Sequence, residues 1–461
     1  MPPVPVEHLG GTRALARWSV GKIRWGVCAC NRAPVQGMMF RTAGRGKGDH
    51  LPNLFQLFVG IDWGSEQHEV CLLNREGDVL GERSVEHSGS GVADLLAWLR
   101  SQARAAPEVI AVAIEIPRGA VVETLVERGF AVFSINPKQL DRFRDRYSPA
   151  GAKDDRRDAF VLADSLRTDL HCFHAVHLDD PAIIRLRELS RLDEDLRQER
   201  NRLTNQLREQ WHRFFPQLLE LSPAADEPWL WDLFQAAPSP TRAAQIAEAR
   251  VARILSRHRI RRWSAQQVHA VLAKPPLCLA PGAAEAASEH ALLLLPRLRL
   301  LHQQRQQIAR RIQALLTELA VPGGDADPAS EHRDAEVLLS LPGVGRQVAA
   351  TMLSEASQAI ADRDYHALRC YAGSAPITRQ SGKKLVVLMR RGCNERLRNA
   401  LYHWARVSVV CDPRSKKLYA EMRAHGHSHG RALRGLADRW LAVLVSMLRH
   451  NTLYDQERRA A

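Results

Sequence analysis

The chain has 461 residues, of which 45% are hydrophobic and 25% are charged, so it has room for two or three domains and is not a small disulfide-stapled scaffold. Its formal charge of +14 predicts a polyanionic partner, with nucleic acid favoured over a membrane. The cysteines form no pair of CxxC elements and no apolar run approaches the ~20 residues of a membrane span, so we expect reduced thiols in a cytoplasmic protein.

The first part of the chain predicts an extension followed by an α/β domain. Residues 1–53 show no sustained periodicity and no signal-peptide core, so we expect a disordered N-terminal extension. Three strands followed by alternating helices and strands are typical of the ribonuclease H type of α/β fold, which we predict for residues 54–175. The predicted strands cover 58–64, 69–74, 77–86, 109–115 and 131–136, and the predicted helices cover 92–104, 120–128 and 158–166.

Four carboxylates stand out in this predicted domain. Asp62 and Glu115 each end a run of branched apolar residues, and Asp155 and Asp158 lie three apart, on one face of a helix. A surface salt-bridge network explains Asp62 and Glu115 poorly, because an acid in an apolar strand is costly unless a metal or hydrogen bonds compensate it. Since Mg²⁺ takes carboxylate and phosphate oxygens together, we predict a magnesium or manganese site and phosphoryl transfer on nucleic acid.

Residues 181–320 predict two long helices that flank an insertion. Their apolar spacing indicates a coiled coil, either as an antiparallel arm within the chain or as an interface with another subunit, with an ordinary helical bundle as the alternative. The first stripe contains Leu186, Leu189, Leu192, Leu196, Leu203, Leu207 and Trp211. The second contains Leu294, Leu298, Leu301, Ile308, Ile312, Leu315 and Leu319, interrupted by Arg305. The segment 219–287, rich in Ala, Pro and Trp, indicates no function.

Residues 336–455 predict a compact helical domain. The PGVG sequence that contains Gly343 and Gly345 ends one apolar helix and starts another. This pattern is typical of a helix-hairpin-helix that holds a nucleic-acid backbone through amide groups, although a plain helix turn has the same residues. Arg390, Arg391 and Arg398 then form a basic loop and helix suited to phosphate contacts.

These motifs, in this order, resemble the insertion-sequence-110 family of transposases, the DEDD transposases that also include the Piv-type DNA invertases. The family's GID strand, strand-ending Glu and K-x-D-x-x-D-A helix correspond here to Asp62, Glu115, Lys153, Asp155, Asp158 and Ala159. Its PGVG hairpin, Gly-x-x-Pro segment, Ser-Gly pair and Gly-Asn with a following Arg correspond to Gly343 to Gly345, Gly373 to Pro376, Ser381 with Gly382, Gly392 to Asn394, and Arg398. Two departures are Ile116 to Gly119 after Glu115, where the family has small residues, and Cys393 between Gly392 and Asn394.

The resemblance implies a composite active site. A RuvC-like cluster of the four acids would hold Mg²⁺ or Mn²⁺, and a serine of the helical C-terminal domain would attack DNA and form a serine-linked intermediate. Ser381 is the leading candidate, with Ser374 as its rival, although most Ser-Gly pairs are simple turns or caps. The predicted phosphate contacts around these groups are Lys153, Arg379, Lys383 and Lys384.

The resemblance also implies a structured guide RNA that pairs with target and donor DNA, and we expect a homodimer or homotetramer. A RuvC-like hydrolytic nuclease, in which the metal activates water and Ser381 is structural, is the second hypothesis. A catalytically idle nucleic-acid-binding protein is the third. The retention of all four acids argues against the third hypothesis.

Overall fold

The computed structural model describes residues 55–103, 107–147, 154–280, 282–320, 332–382 and 384–457. The predicted N-terminal extension, Lys153 and Lys383 therefore lie outside the described residues. The chain divides into two compact units, Met1–Val176 and His177–Ala461, which are treated one at a time below.

The first unit is a six-stranded sheet with helices on both faces. The strands run in the order β3-β2-β1-β4-β5-β6, in which β1, β4 and β5 are parallel while β2, β3 and β6 pair antiparallel with their neighbours. The elements are β1 (Leu57–Asp62), β2 (Gln67–Leu73), β3 (Val79–Glu86), α1 (Gly89–Ala103), β4 (Ile110–Ile114), α2 (Ala120–Glu127), β5 (Ala131–Ser134), α3 (Pro137–Arg144), α4 (Asp155–Thr168) and β6 (His174–Ala175). The sequence predicted these positions except for α3 and β6.

Strand β1 lies in the centre of the sheet because both of its faces are apolar. Val59 and Ile61 pack into a core with α1 and α2, whereas Phe58 packs into a second core with α4 on the other face. At Gly60 the backbone of α4 comes so close that an added Cβ would lie 1.9 Å from the oxygen of Ala159. This close approach fixes the first turns of α4 against the end of β1.

The described residues of the second unit are helical apart from one hairpin. Its elements are α5 (Pro181–Phe214), α6 (Gln217–Leu221), α7 (Pro228–Ala236), α8 (Pro240–Ala244), α9 (Glu248–Arg257), α10 (Ala265–Leu272), α11 (Ala283–Ala320), α12 (His332–Ser340), α13 (Arg346–Glu355), α14 (Ser357–Ala361), α15 (Tyr365–Tyr371), β7 (Ile377–Ser381), β8 (Lys384–Leu388), α16 (Glu395–Cys411), α17 (Pro413–Ala424) and α18 (His429–His450). The described part of the chain thus combines a mixed α/β unit with a mostly helical region, as the sequence predicted.

The long helices α5 and α11 pair antiparallel within the chain. The beginning of α5 shares one core with the end of α11, and the end of α5 shares another with the beginning of α11. Arg305, which interrupts the heptads, donates to both carboxylate oxygens of buried Asp193 at 3.1 and 3.2 Å. The seam is therefore occupied inside one chain, which favours the antiparallel arm over an interface with another subunit. Leu192, predicted as part of the first stripe, is 46% exposed, so its inclusion in the apolar stripe was wrong.

The insertion between these helices is a small helical subdomain. Helices α6 to α10 pack around an aromatic core at the junction of α5 and α11, where Trp211, Trp231 and Phe234 are fully buried. The remaining helices, α12 to α18, pack with the other ends of α5 and α11 around a separate core. The second unit therefore has two hydrophobic centres, one at each end of the paired helices.

Candidate active site

Three aspartates converge where β1 ends and α4 begins. One carboxylate oxygen from each of Asp62, Asp155 and Asp158 lies within 4.8 Å of the other two. Asp62 is the last residue of β1, and the other two occupy the first turn of α4. Asp158 is 1% exposed, Asp62 is half-buried and Asp155 is exposed, so the group opens from the protein interior to solvent.

Glu115 follows β4, the strand next to β1. Ile114 is the parallel partner of Ile61, so the backbones of Glu115 and Asp62 leave the sheet side by side. Among the described residues, the group whose oxygens lie within 4.8 Å contains the three aspartates and not Glu115. The half-buried Glu115 is thus a neighbour of the cluster at the same edge of the sheet.

Arg144 is the residue of this site that the sequence analysis missed. Its Nε and Nη2 donate to the two carboxylate oxygens of Asp158 at 2.6 and 2.9 Å, and its Nη1 pairs with Asp141. Burial disfavours the charged guanidinium, but the hydrogen bonds to Asp158 and the charges of Asp158, Asp141 and Glu115 raise the pKa of Arg144 overall. Arg144 therefore stays charged and neutralises part of the cluster.

Arg144 ends α3, a helix whose start was readable in the sequence. Asn136 caps it by accepting a hydrogen bond from the amide of Lys138, and Pro137 occupies the first helical position. Asn followed by Pro is a recognised helix-start signal. The sequence analysis predicted a strand that ends at residue 136 and no helix between it and residue 158.

The three aspartates suit a hard divalent cation. All of their donor atoms are carboxylate oxygens, the ligand type that Mg²⁺ and Mn²⁺ prefer. Three carboxylates at this spacing repel one another, and the Arg144 guanidinium offsets part of that repulsion at Asp158. Asp62 and Asp155 also leave the site open toward solvent, as binding of a substrate phosphate requires.

The candidate serine lies at the tip of an exposed hairpin. Ser381 ends β7 and pairs in register with Lys384, the first residue of β8. Gly382 in the turn has a φ of +56°, a conformation that favours glycine. The side chains of Ser381, Arg379 and Lys384 are exposed, and the Ser381 hydroxyl has no hydrogen-bond partner among the described residues. Lys383, the other predicted phosphate contact here, lies outside them.

The rival serine has a different environment. Ser374 is half-buried, and its hydroxyl donates to Asp438 Oδ1 at 2.8 Å. The same carboxylate accepts two hydrogen bonds from Arg369, at 3.0 and 2.8 Å, and one from the hydroxyl of Tyr365 at 3.1 Å. Ser374 is therefore part of a network that ties α15 to α18.

The PGVG turn joins α12 to α13 and packs against α16. Gly343 has a φ of +83°, and an added Cβ would lie 2.9 Å from the backbone nitrogen of Ser408. Trp404 also donates its indole N–H to Pro342 at 3.0 Å. Gly345, in contrast, is exposed at the start of α13 with open space beside it. The first glycine thus serves packing, and the second leaves helix amides accessible.

The predicted basic cluster leads into α16. Asn394 caps this helix by accepting a hydrogen bond from the amide of Leu397 at 3.0 Å. Arg391 is exposed, whereas Arg390 and Arg398 are half-buried. Arg398 also pairs with exposed Glu395 at 3.1 Å, a contact of the kind that contributes little to stability. All three guanidinium groups keep part of their surface in solvent.

Comparison with known proteins decides the family. Residues 59–216 match the family profile of the DEDD transposases, described as "Transposase", and residues 335–420 match "Transposase IS116/IS110/IS902 family". "Mini-circle putative transposase for IS117" of Streptomyces coelicolor is 30% identical over 87% of this chain and 96% of its own length. "Putative transposase y4uE" of Sinorhizobium fredii is 49% identical over 57% of this chain and 75% of its own length. The chain belongs to the IS110 family of transposases.

The predictions of the family and of a DNA transposase are thereby confirmed. An IS110-family transposase is expected to bind DNA, in agreement with the formal charge of +14. The family also suggests use of a divalent metal, for which the three aspartates offer ligands. Among the residues that the structure describes, no helix of this transposase combines the length and apolar character that a membrane crossing requires.

Proposed function

We propose that this transposase cleaves DNA and exchanges strands through a covalent bond between Ser381 and DNA, with the aid of a divalent cation held by the acid cluster. The observation that carries this proposal is the convergence of the Asp62, Asp155 and Asp158 carboxylates within 4.8 Å. The exposed Ser381 side chain, whose hydroxyl forms no hydrogen bond with a described residue, supports the covalent step.

We infer that the first unit is RuvC-like, of the ribonuclease H type. The central parallel strands β1, β4 and β5, extended by antiparallel β2 and β3, support this assignment. We also propose the domain limits 54–175, 181–320 and 336–455. The exposed amides at Gly345 support a helix-hairpin-helix role for the PGVG turn.

In the acid site, Asp62, Asp155 and Asp158 would hold the cation, and Glu115 would complete the set from the neighbouring strand. A divalent cation there supplies charge stabilisation for phosphoryl oxygens and lowers the pKa of a coordinated hydroxyl. Arg144 keeps both oxygens of Asp158 in a fixed plane. The rigid backbone of β1 and α4 holds these carboxylates before substrate arrives.

At the hairpin, the Ser381 oxygen would bond to the scissile phosphorus while one phosphorus–oxygen bond to the DNA sugar breaks. The serine proton ends on the sugar hydroxyl that leaves, so one phosphate ester replaces another and no external energy is consumed. Exposed Arg379 and Lys384 would bind the phosphate, together with Lys383 and Lys153. Because the acids and the serine belong to different units, substrate binding would assemble the complete site.

We further propose that a structured guide RNA selects the DNA and that the protein works as a homodimer or homotetramer. The positive charge supports RNA binding, since guide-dependent systems leave sequence reading to base pairing while the protein holds the backbone. Arg390, Arg391 and Arg398 are the proposed contacts. Recombination that proceeds equally well without any RNA would refute the guide.

Trapping of the covalent adduct tests the serine chemistry. DNA should remain attached to the purified protein after denaturation, and mass spectrometry should place it on Ser381. The variant Ser381→Ala should lose both adduct and strand exchange. Ser374→Ala is the matched control and should keep both at least partly, since Ser374 is engaged with Asp438.

The same experiment separates recombination from hydrolysis. The three aspartates and Glu115 all belong to the first unit, which also suits a RuvC-like nuclease that needs no serine. Metal-dependent cleavage by Ser381→Ala, with no adduct in the unmodified protein, would favour the nuclease. An adduct on Ser374 would show that Ser374, and not Ser381, is the nucleophile. The serine-linked mechanism would then stand.

A further inference from the structure

The insertion between α5 and α11 presents a row of arginines on α9. This helix buries Val251, Ile254 and Leu255 in the subdomain core. Arg250, Arg253 and Arg257 follow a spacing of three and four residues, which places them along one side of the helix, and all three are exposed. We name these three residues the arginine stripe.

The surroundings of the arginine stripe are almost free of acids. Residues 240–273 contain seven arginines and one glutamate, Glu248. All seven arginines are exposed: Arg242, Arg250, Arg253, Arg257, Arg259, Arg261 and Arg262. Such a run of one sign is costly to the isolated protein because like charges repel.

Few carboxylates of the chain neutralise this surface. Arg262 pairs with Glu227 at 2.5 Å, and Arg257 reaches Asp232 only at 3.8 Å. Asp232 already accepts closer hydrogen bonds from His258 and Arg299, at 2.8 and 2.6 Å. Within the described residues, the other five arginines form no ion pair. The charge is therefore available to an external polyanion.

We propose that the arginine stripe binds the phosphate backbone of duplex DNA, at a place on the protein separate from the serine hairpin. Arg257 lies seven positions after Arg250, about 10 Å along the helix, which is close to the roughly 12 Å width of the B-form major groove. The deep, narrow major groove of duplex RNA does not admit a helix in this way. B-form DNA is therefore the duplex that fits.

The position of the stripe gives this contact a separate role. The subdomain packs at one end of the paired helices, and the helical region that carries the hairpin packs at the other end. DNA bound by the stripe would thus be flanking DNA, held by charge without reading of sequence. This inference goes beyond the proposed function and does not depend on the serine chemistry.

The test compares full-length proteins by their salt-dependent affinity for a random-sequence DNA duplex. The triple variant Arg250→Gln, Arg253→Gln and Arg257→Gln should lower the slope of log affinity against log salt by about 2.7, since each lost phosphate contact contributes about 0.9. The thermal midpoint should stay unchanged because the three side chains are exposed. Lysine at the same three positions should restore most of the slope.

A second triple variant, Arg297→Gln, Arg310→Gln and Arg311→Gln, removes the same charge from exposed positions of α11. An equal loss of slope in this control would overturn the proposal, because the effect would then reflect net charge alone. A loss confined to a duplex RNA of the same length would overturn the choice of DNA. Formation of the Ser381 adduct on a short DNA without flanks should survive in both triple variants.

Discussion

The acid cluster and the serine hairpin differ in how the protein holds them. Asp62 ends β1, a central strand with a hydrophobic core on each face, and Asp158 lies on α4, which packs in one of those cores. At Gly60, α4 lies so close to β1 that a side chain would not fit. Ser381 stands on a two-stranded hairpin in which nearly every residue is exposed, including Leu385 and Val387 at 60% and 62%. The acid cluster is fixed by packing, whereas the hairpin is held by the pairing of its two strands.

This difference indicates how metal binding and strand exchange are divided between the two regions. Carboxylates that must share a cation need fixed spacing, and a buried sheet edge supplies it before substrate binds. A two-stranded hairpin is marginally stable by itself, so its geometry depends on whatever it contacts in the assembled complex. We therefore expect changes at the acid cluster to act on metal binding and on the fold, and changes at the hairpin to act on strand exchange alone.

The largest expected effect comes from removing one charge of the cluster. Asp155→Asn or Asp62→Asn should reduce cleavage by about a hundredfold or more, because the cation contributes several kcal/mol of charge stabilisation. Calorimetric titration with Mn²⁺ should show weakened binding. Asp94→Asn, an exposed position on α1 across the sheet, is the control and should change neither. Full cleavage by either cluster variant would refute the metal site.

Substitution of one glycine in each region tests how tightly the two regions are packed. Gly60→Ala places a methyl group 1.9 Å from the oxygen of Ala159, so the unfolding free energy of the first unit should fall by about 3 kcal/mol or more. Gly382→Ala meets no atom within 4 Å and suffers only a φ of +56°, a local cost of about 1 kcal/mol. Thermal unfolding should separate the two variants, and equal midpoints would contradict the comparison.

The sequence predicted the first unit well because its signals are local. Buried runs such as 58–64 alternate with helices of clear period, and the structure has strands and helices at those places. The two long helices were also predicted, but their apolar stripes could pack against a helix of the same chain or of another subunit. The structure identifies the partner as α5, through the shared hydrophobic cores and the Arg305–Asp193 pair, a contact across 112 residues.

The candidate site was predicted in part for a related reason. The acids were recognisable in the sequence because Asp62 and Glu115 end apolar runs and Asp155 and Asp158 share one helix face. We therefore expected them to lie close together. Arg144 sits in a charged helix, where an arginine usually has no specific role, and its contact with Asp158 depends on how α3 and α4 pack. Periodicity does not contain that information, although the Asn136-Pro137 helix start does indicate that the helix exists.

The smallest expected effect is that of Arg144 on the affinity of the acid cluster for a cation. Its guanidinium lies against Asp158 and adds a positive charge beside the site that would take a cation. Removing it with Arg144→Gln should strengthen Mn²⁺ binding by about tenfold, since a like charge a few ångströms away disfavours a cation. Electron paramagnetic resonance of free Mn²⁺ measures this affinity without any DNA.

A matched variant separates this effect from net charge. Arg146→Gln removes the same charge from the same unit, but Arg146 pairs with Asp169 at 2.9 Å rather than with the cluster. We expect it to leave Mn²⁺ affinity nearly unchanged. If Arg144→Gln instead weakens Mn²⁺ binding while the fold persists, then the orientation that Arg144 gives to Asp158 outweighs its repulsion of the cation. In that outcome Arg144 is a positioning residue, because the carboxylate needs its two hydrogen bonds to stay in place.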